Sequence, residues 1–451
     1  MTHEQQQRLT LAATVLGSSL AFVDASVVVV ALPTIQHDLH FSLAGEQWVF
    51  LAYSLALAGA APDGAVLIGA RTLQGVASAF VATNSLALLR ETYGDEAGRA
   101  VGLWTAWTSV ATLAGPPLGG VIVQWVSWRW IFFINLPLAA GAVFLAHRGR
   151  CRPLTEHKIG RLDLSGAALA ALAFGTLTYG MVDGASHGFG GVWWSFVVAG
   201  ASLAAFVAVE RRTAEPMLPF SLFRRRNFAF SNLETFFVYG ALGGYFFFFT
   251  IYLQFLGFSP AAAGLASVPG SVVMILLSSR FGALADKHGP RVLLVVGPTL
   301  VAAGMVLFSF MRSRTEFWIY GVPGLLVFAF GLSMVVAPIT STALGSAPGR
   351  FSGIASGFNQ TVSRLGNLLA VAVLGLVVLL VYQANGGDRG VPIARGQHDH
   401  ALRSASMDGF RVAMLVTAGL ALVGAVVAAL GISNEDARRP ADVTGEAVPG
   451  V

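Results

Sequence analysis

The feature that most constrains this chain is its succession of continuous apolar stretches, each about as long as a membrane span and bounded by short charged segments. A bilayer core about 30 Å thick takes roughly 20 apolar residues in a helix. Backbone groups in lipid must pair internally, so only helices or closed barrels cross it. Barrel strands alternate polar and apolar residues over about 10 positions. The runs here are unbroken, so an all-α polytopic membrane protein is expected. Composition agrees, with 55% hydrophobic and 11% charged residues, against about 25% charged in a soluble domain. Spans are expected near 9–32, 65–89, 100–123, 130–147, 163–183, 191–210, 228–256, 261–281, 292–311, 317–343, 352–382 and 410–432, twelve in all. One further stretch, Trp48 to Ala60, makes a helix of about 20 Å, too short to cross.

Loop charge sets the orientation, because cytoplasmic loops collect Lys and Arg. With the N-terminus inside, 18 basic residues are cytoplasmic, among them the Arg148–Arg161 cluster and Arg224–Arg226, and 7 are outside. Both termini are therefore expected in the cytoplasm. The net charge of +5 is explained by this bias, and no nucleic-acid partner is expected. The opening MTHEQQQR leads into an apolar run without a small-residue cleavage site, as for an uncleaved first helix. Cys151 stands alone, so no internal disulfide or Cys-rich metal site is expected. No nucleophile–base pair, metal-ligand cluster or phosphate-cradling loop stands out. Neither an enzyme nor a cofactor is expected. The loop from Gln383 to Asp408 and the charged tail after Ser433 are expected to be polar and unstructured.

Charges at lipid depth are costly, so each is a functional candidate. Asp24 lies about 24 Å along its helix from Arg8, and Arg71 about 28 Å from Arg90 along an opposed one. At matched depth the two can share a proton-responsive site or form a fixed ion pair. Glu234 is roughly 12 Å beyond Arg226, in a polar stripe with Asn227 and Ser231. A carboxyl desolvated there can take a proton at neutral pH; the alternative is a helix-end acid reaching water or the nearby arginines. Arg364 stands among Asn359, Gln360, Ser363 and Asn367, a face that lines a cavity or packs helices through side-chain hydrogen bonds. Tyr245 and Phe246–Phe249 suit a hydrophobic substrate, though packing or lipid contact is the commoner use of such a run. Gly115, Pro116, Pro117, Gly119 and Gly120 combine a proline kink with close helix approach. In Gly282–Arg291, Asp286 can cap a helix N-terminus or pair with Arg291, while Gly289-Pro290 marks a tight turn.

Several segments, in order, resemble the fourteen-span drug:proton antiporter branch of the major facilitator superfamily. They are Phe22 to Pro33, Ile68 to Gly75 with Arg71, Gly115 to Gly120, Trp128 to Pro137, and Gly282 to Arg291 with Asp286 and Gly289. The resemblance implies a two-bundle fold, alternating access and export of lipophilic or amphipathic compounds in exchange for protons. It assigns Asp24 and Arg71 to conserved motifs, with the arginine in proton coupling. Gly115–Gly120 is then the antiporter motif that helps seal the closed cavity, and Gly282, Asp286, Gly289 and Arg291 belong to a gating loop. The implied partners are the lipid bilayer, a small-molecule substrate and protons, in a bacterial cytoplasmic membrane; a periplasmic adaptor is left open.

The resemblance has one gap. Ala60-Ala61-Pro62-Asp63 joins directly two points between which the family has most of its second and third helices and a first gating loop, roughly 40 residues at about 20 per span. Losing two helices keeps the orientation of later ones, giving about twelve spans plus a short stub. A competing reading makes Trp48–Ala70 one span that buries Asp63 and inverts every later loop. The expected organisation is a truncated N-terminal bundle (1–147), two extra helices with basic flanks (148–226), a six-helix bundle (227–432) and a tail (433–451). A non-transporting sensor or inactive remnant is the rival function.

Overall fold

The computed structural model describes residues 3–39, 66–69, 85, 88–89, 92–93, 97–149, 164–213, 220–347, 351–387 and 399–438. The helices are α1 His3–Leu39, α2 Ala97–Trp125, α3 Trp130–Phe133, α4 Asn135–Arg148, α5 Leu164–His187, α6 Trp193–Arg212, α7 Arg226–Phe255, α8 Pro260–Leu265, α9 Val268–His288, α10 Arg291–Phe308, α11 Val322–Gly345, α12 Ser352–Ala384, α13 His400–Gly431 and α14 Asn434–Arg438. Among the described residues there is no strand. Nine helical stretches within them, from Trp130–Arg148 to His400–Gly431, are long and apolar enough to cross a membrane. Two more long helices, α1 with 37 residues and α2 with 29, precede these. Most of the span expected near 65–89 and the whole stretch Trp48–Ala60 lie outside the described residues.

Three boundaries differ from expectation. α13 begins at His400, so the loop expected to run to Asp408 ends earlier. Its first turns, Ala401 to Met407, are rich in good helix formers. Asp408 is anchored by Arg312, whose Nη2 donates to Oδ1 at 2.7 Å. An apolar-run criterion misses such a polar but helical start. The expected gating loop is also mostly helix: α9 continues to His288, and only Gly289-Pro290 turns. Gly289 adopts φ +93° and its N–H bonds back to Ala285 O at 2.8 Å. This left-handed stop suits glycine. The tail expected to be unstructured opens with α14.

The chain forms two compact units. Unit 1 comprises residues 1–160, 246–268 and 389–400. In it α1 packs along α2 and α4, and α8 packs on α2. Leu89, Ala100 and Trp104 form one core with Leu11, Val15 and Tyr93 around it. Trp104 Nε1 donates to Ser18 Oγ and Ser18 Oγ to Ser85 Oγ, both at 3.1 Å. Unit 2 comprises residues 161–245, 269–388 and 401–451. There α5 pairs with α6 and also meets α12, and α10 pairs closely with α11. The last pair meets through glycine: a Cβ on Gly304 would lie 2.7 Å from the carbonyl oxygen of Gly324. Small residues let backbones approach where lipid offers no hydrophobic drive.

Candidate functional site

In unit 2, α7 carries Glu234, and the side chain is fully buried at 0% exposure. Its neighbours one turn away, Phe230 and Val238, belong to an apolar cluster with Leu294, Val335, Ile339, Ala428 and Ile432. Neither Oε1 nor Oε2 has a hydrogen-bond partner among the described residues. The other members of its stripe are engaged elsewhere. Ser231 Oγ donates to Phe228 O at 3.3 Å. Asn227 Nδ2 donates to Ser433 O, and Ser433 N–H returns a bond to Asn227 Oδ1, both at 2.8 Å. The alternative of an acid reaching water or answering the arginines is therefore wrong for Glu234. The arginines are turned to α13, with Arg226 Nε on Gly431 O at 2.9 Å, Arg226 Nη2 on Leu430 O at 2.5 Å, and Arg291 Nη2 on Ala429 O at 2.7 Å. The last carbonyls of a helix lack intrahelical partners and carry partial negative charge. Two guanidinium groups and one amide thus clasp the end of α13.

The same clasp bears on Asp286, for which the sequence leaves both capping of a helix N-terminus and pairing with Arg291 open. Asp286 is exposed, while Arg291 is directed to α13. Asn434 Oδ1, rather than Asp286, accepts the Arg291 N–H at 3.1 Å, at the start of α10. A Cβ on Gly289 would strike the Asn434 side chain, so Gly289 is needed both for its turn and for Asn434. Gly282 is inside α9 with only Ala337 nearby. Nothing in the sequence pattern singled out Asn434, because it stands in what looked like tail.

The polar stripe of α12 divides. Asn359 is buried, and its Nδ2 donates to Asn232 Oδ1 at 3.1 Å and Thr235 Oγ1 at 3.0 Å. Ser363 is buried too, while Gln360 and Arg364 are exposed. The packing role thus falls to Asn359 and the open face to Arg364. The aromatic run packs: Tyr245 lies tilted against Phe328 at 4.3 Å and stacks on Phe308 at 5.6 Å. Phe247, Phe248 and Phe249 are buried, and Phe246 stays 36% exposed.

In unit 1 the Gly115–Gly120 segment sits inside α2, with Pro116 and Pro117 in the helix. Gly115, Gly119 and Gly120 are buried. A Cβ on Gly119 would fall 2.9 Å from Val27 O of α1, and one on Gly120 would meet the backbone of Pro260 and Ala261. From the other side, a Cβ on Gly264 would meet the Pro116 carbonyl. Gln124 Oε1 accepts from Ala261 N–H at 3.1 Å. Sequence reasoning missed α8 as the motif's counterpart, although Ser259-Pro260 announces a capped helix start, and Ser259 Oγ does accept from Ala262 N–H at 3.2 Å. It also missed Gln254, whose Nε2 donates to Val30 O at 2.8 Å and whose Oε1 is buried without a partner among the described residues. A lone amide in an apolar run was the available signal. Asp24 lies in α1, but its side chain, and all of Arg71, lie outside the described residues.

Long apolar helices with interior polar groups and close glycine crossings make this a multi-pass helical membrane protein. A family model described as Major Facilitator Superfamily matches residues 56–371, and the chain belongs to that superfamily. It is 32% identical to the multidrug resistance protein Stp of Mycobacterium tuberculosis, over 82% of this chain and 76% of that one. It is 30% identical to the puromycin resistance protein pur8 of Streptomyces alboniger, over 95% and 91% of the two chains. The Stp match extends over 412 positions, about 40 more than the residues of this 451-residue chain that it takes in. The fold resembles that of a bacterial homolog to the human lysosomal transporter Spinster, solved inward-facing and unoccupied, with TM-score 0.66, 17% identity and coverage of 96% and 97%. These relatives favour a transporter over a non-transporting sensor or remnant.

Proposed function

We propose that this chain exports lipophilic or amphipathic compounds in exchange for protons by alternating access, with Glu234 as a proton-carrying carboxyl. The observation that carries the proposal is the burial of both Glu234 oxygens beside an apolar cluster, with no donor among the described residues. An unpaired charge in such a place costs several kcal/mol, so the buried state carries a proton and release requires a state in which water reaches the oxygens. Two such states are what alternating access provides. Asp24 and Arg71 are the second coupling site, and Arg364, exposed on α12, is a cation on the substrate path. The names of the relatives, multidrug resistance and puromycin resistance, support a drug-like substrate. Loop charges support a cytoplasmic membrane location with both termini inside. In that topology the packing of the antiporter motif on α8 seals the outer end.

The test is transport by the purified chain in liposomes containing a pH-sensitive dye. Puromycin should release protons from wild type, and Glu234→Gln should abolish that release while the protein still inserts. Asp24→Asn should do the same. Proton release at the wild-type rate in Glu234→Gln would show the carboxyl to be structural.

A further inference from the structure

On the side of α12 away from Arg364, unit 2 contains an apolar cavity of about 140 Å³. α7 lines it with Phe237 and Gly240, α12 with Ala370 and Val373, and α13 with Val416 and Leu420. The cavity arises from a close crossing. A Cβ on Gly366 would run into the backbone of Phe236, and one on Gly240 would lie 3.3 Å from Gly366 O. With the backbones in contact there, the larger side chains beside the crossing splay apart, and α13 leaves the space between them unfilled. An apolar cavity of about this size stays dry and accepts hydrocarbon.

Along the groove between α7 and the antiparallel α13, the faces that line the cavity continue as exposed apolar residues. Leu233, 45% exposed, precedes Phe237 by one turn, and Val423, 42% exposed, follows Leu420 by one turn. Further down the same faces stand Arg226 and Leu430, joined by the Arg226 bond to Leu430 O. Arg224, Arg225 and Arg226 are all exposed; Arg225 Nη1 donates to Ser346 O and Arg226 Nε and Nη2 to Gly431 O and Leu430 O, so a phosphate would take Arg224 and the remaining N–H groups of the other two. From Arg226 to the Phe237–Gly240 stretch the helix rises about 17–21 Å, slightly more than half a hydrocarbon thickness of about 30 Å. A chain that entered the bilayer at the arginines would end at the cavity. Val373 is two and a half helical turns from Arg364, so the cavity lies opposite the polar exposed face of α12.

We propose that this groove seats one anionic phospholipid, with its phosphate at Arg224–Arg226 and the end of one acyl chain in the cavity between α7, α12 and α13. Guanidinium groups bind phosphate oxygens through paired hydrogen bonds, and basic clusters beside a span favour anionic lipid. The seated chain would fill the space that the Gly240–Gly366 crossing leaves, and so would brace α13 against α7.

The experiment places the full-length chain in nanodiscs containing phosphatidylglycerol with a diazirine near the end of one acyl chain. After irradiation, adducts are mapped by mass spectrometry. Adducts should concentrate on residues 233–240, 366–374 and 416–423. Val373→Phe, which fills the cavity, should lower them about tenfold, equivalent to roughly 1.4 kcal/mol. A phosphatidylcholine probe with the same chain should label these peptides less. Adducts spread evenly over all spans would overturn the proposal, and so would undiminished labelling in folded Val373→Phe. Equal labelling by both probes would remove the arginine contact. Loss of labelling on adding puromycin would make the cavity a drug site instead. The wild-type map alone decides the seat if Val373→Phe does not fold.

Discussion

Replacing Glu234 by leucine should make the protein more stable and inactive as an exporter. Both carboxyl oxygens are buried without a partner among the described residues, and an unsatisfied buried polar group costs about 1–3 kcal/mol. Leucine is similar in size and would extend the cluster of Phe230, Val238 and Leu294 with apolar contact. The two effects act in the same direction, so the folded state should gain about 1–3 kcal/mol. Glu234→Ala is the control, because the void it leaves should cancel that gain at about 2–5 kcal/mol. Unfolding in detergent, followed by near-ultraviolet circular dichroism across a denaturant series, gives the sign, and drug resistance of expressing cells gives the function. A less stable Glu234→Leu would mean that the carboxyl has a stabilising partner, which would refute its isolation. A stable variant that still exports would leave the isolation intact and remove the coupling role.

Gly120→Val should force α2 from α8, since the facing atoms are backbone and overpacking costs about 1–3 kcal/mol; cysteines placed near Gln124 should become more reactive, and unchanged reactivity would count against the seal. Asn434→Ala should lower stability by about 0.5–2 kcal/mol, the usual loss for a helix cap, as read by thermal unfolding, whereas Asp286→Ala should change little. Cysteine labelling from outside should reach position 397 and not 157; labelling of both would invert the proposed topology. Inserting two helices and a Gly-x-Leu-Ala-Asp-Arg-type loop after Ala60 should raise thermal stability and drug resistance, because the proposed shortfall would remove a first gating loop and so favour cytoplasmic opening. No gain over the 451-residue form would show that the shortfall is tolerated.

The spans were legible because membrane thickness imposes one length on every apolar run, and α4 to α12 lie close to where those runs predict. α13 was placed ten residues late because its first turns satisfy helix propensity without being apolar. Glu234 was legible as a charge at depth, but its lack of a partner was not. That depends on Ser231 and Asn227 bonding to backbone groups, one of them more than 200 residues away in the chain. The α12 stripe looked like one surface because helical spacing gives direction without neighbours. Only contact with Asn232 and Thr235 separates Asn359 from Arg364. The antiporter motif could be recognised from its glycines and prolines, whereas its counterpart α8 is six residues long and leaves almost no periodic signal.

The clasp on α13 sets where the chain can be cut or joined to another protein. Ser433 is tied to Asn227 in both directions, and Asn434 holds the start of α10. Shortening the C-terminus should therefore be harmless until it reaches these two residues and damaging as soon as it passes them. A fluorescent reporter attached beyond Arg438 leaves the clasp intact. The same reporter attached at Ile432 would strip α10 of its cap and take away both bonds between Ser433 and the Asn227 amide, so its signal would report a misassembled membrane protein.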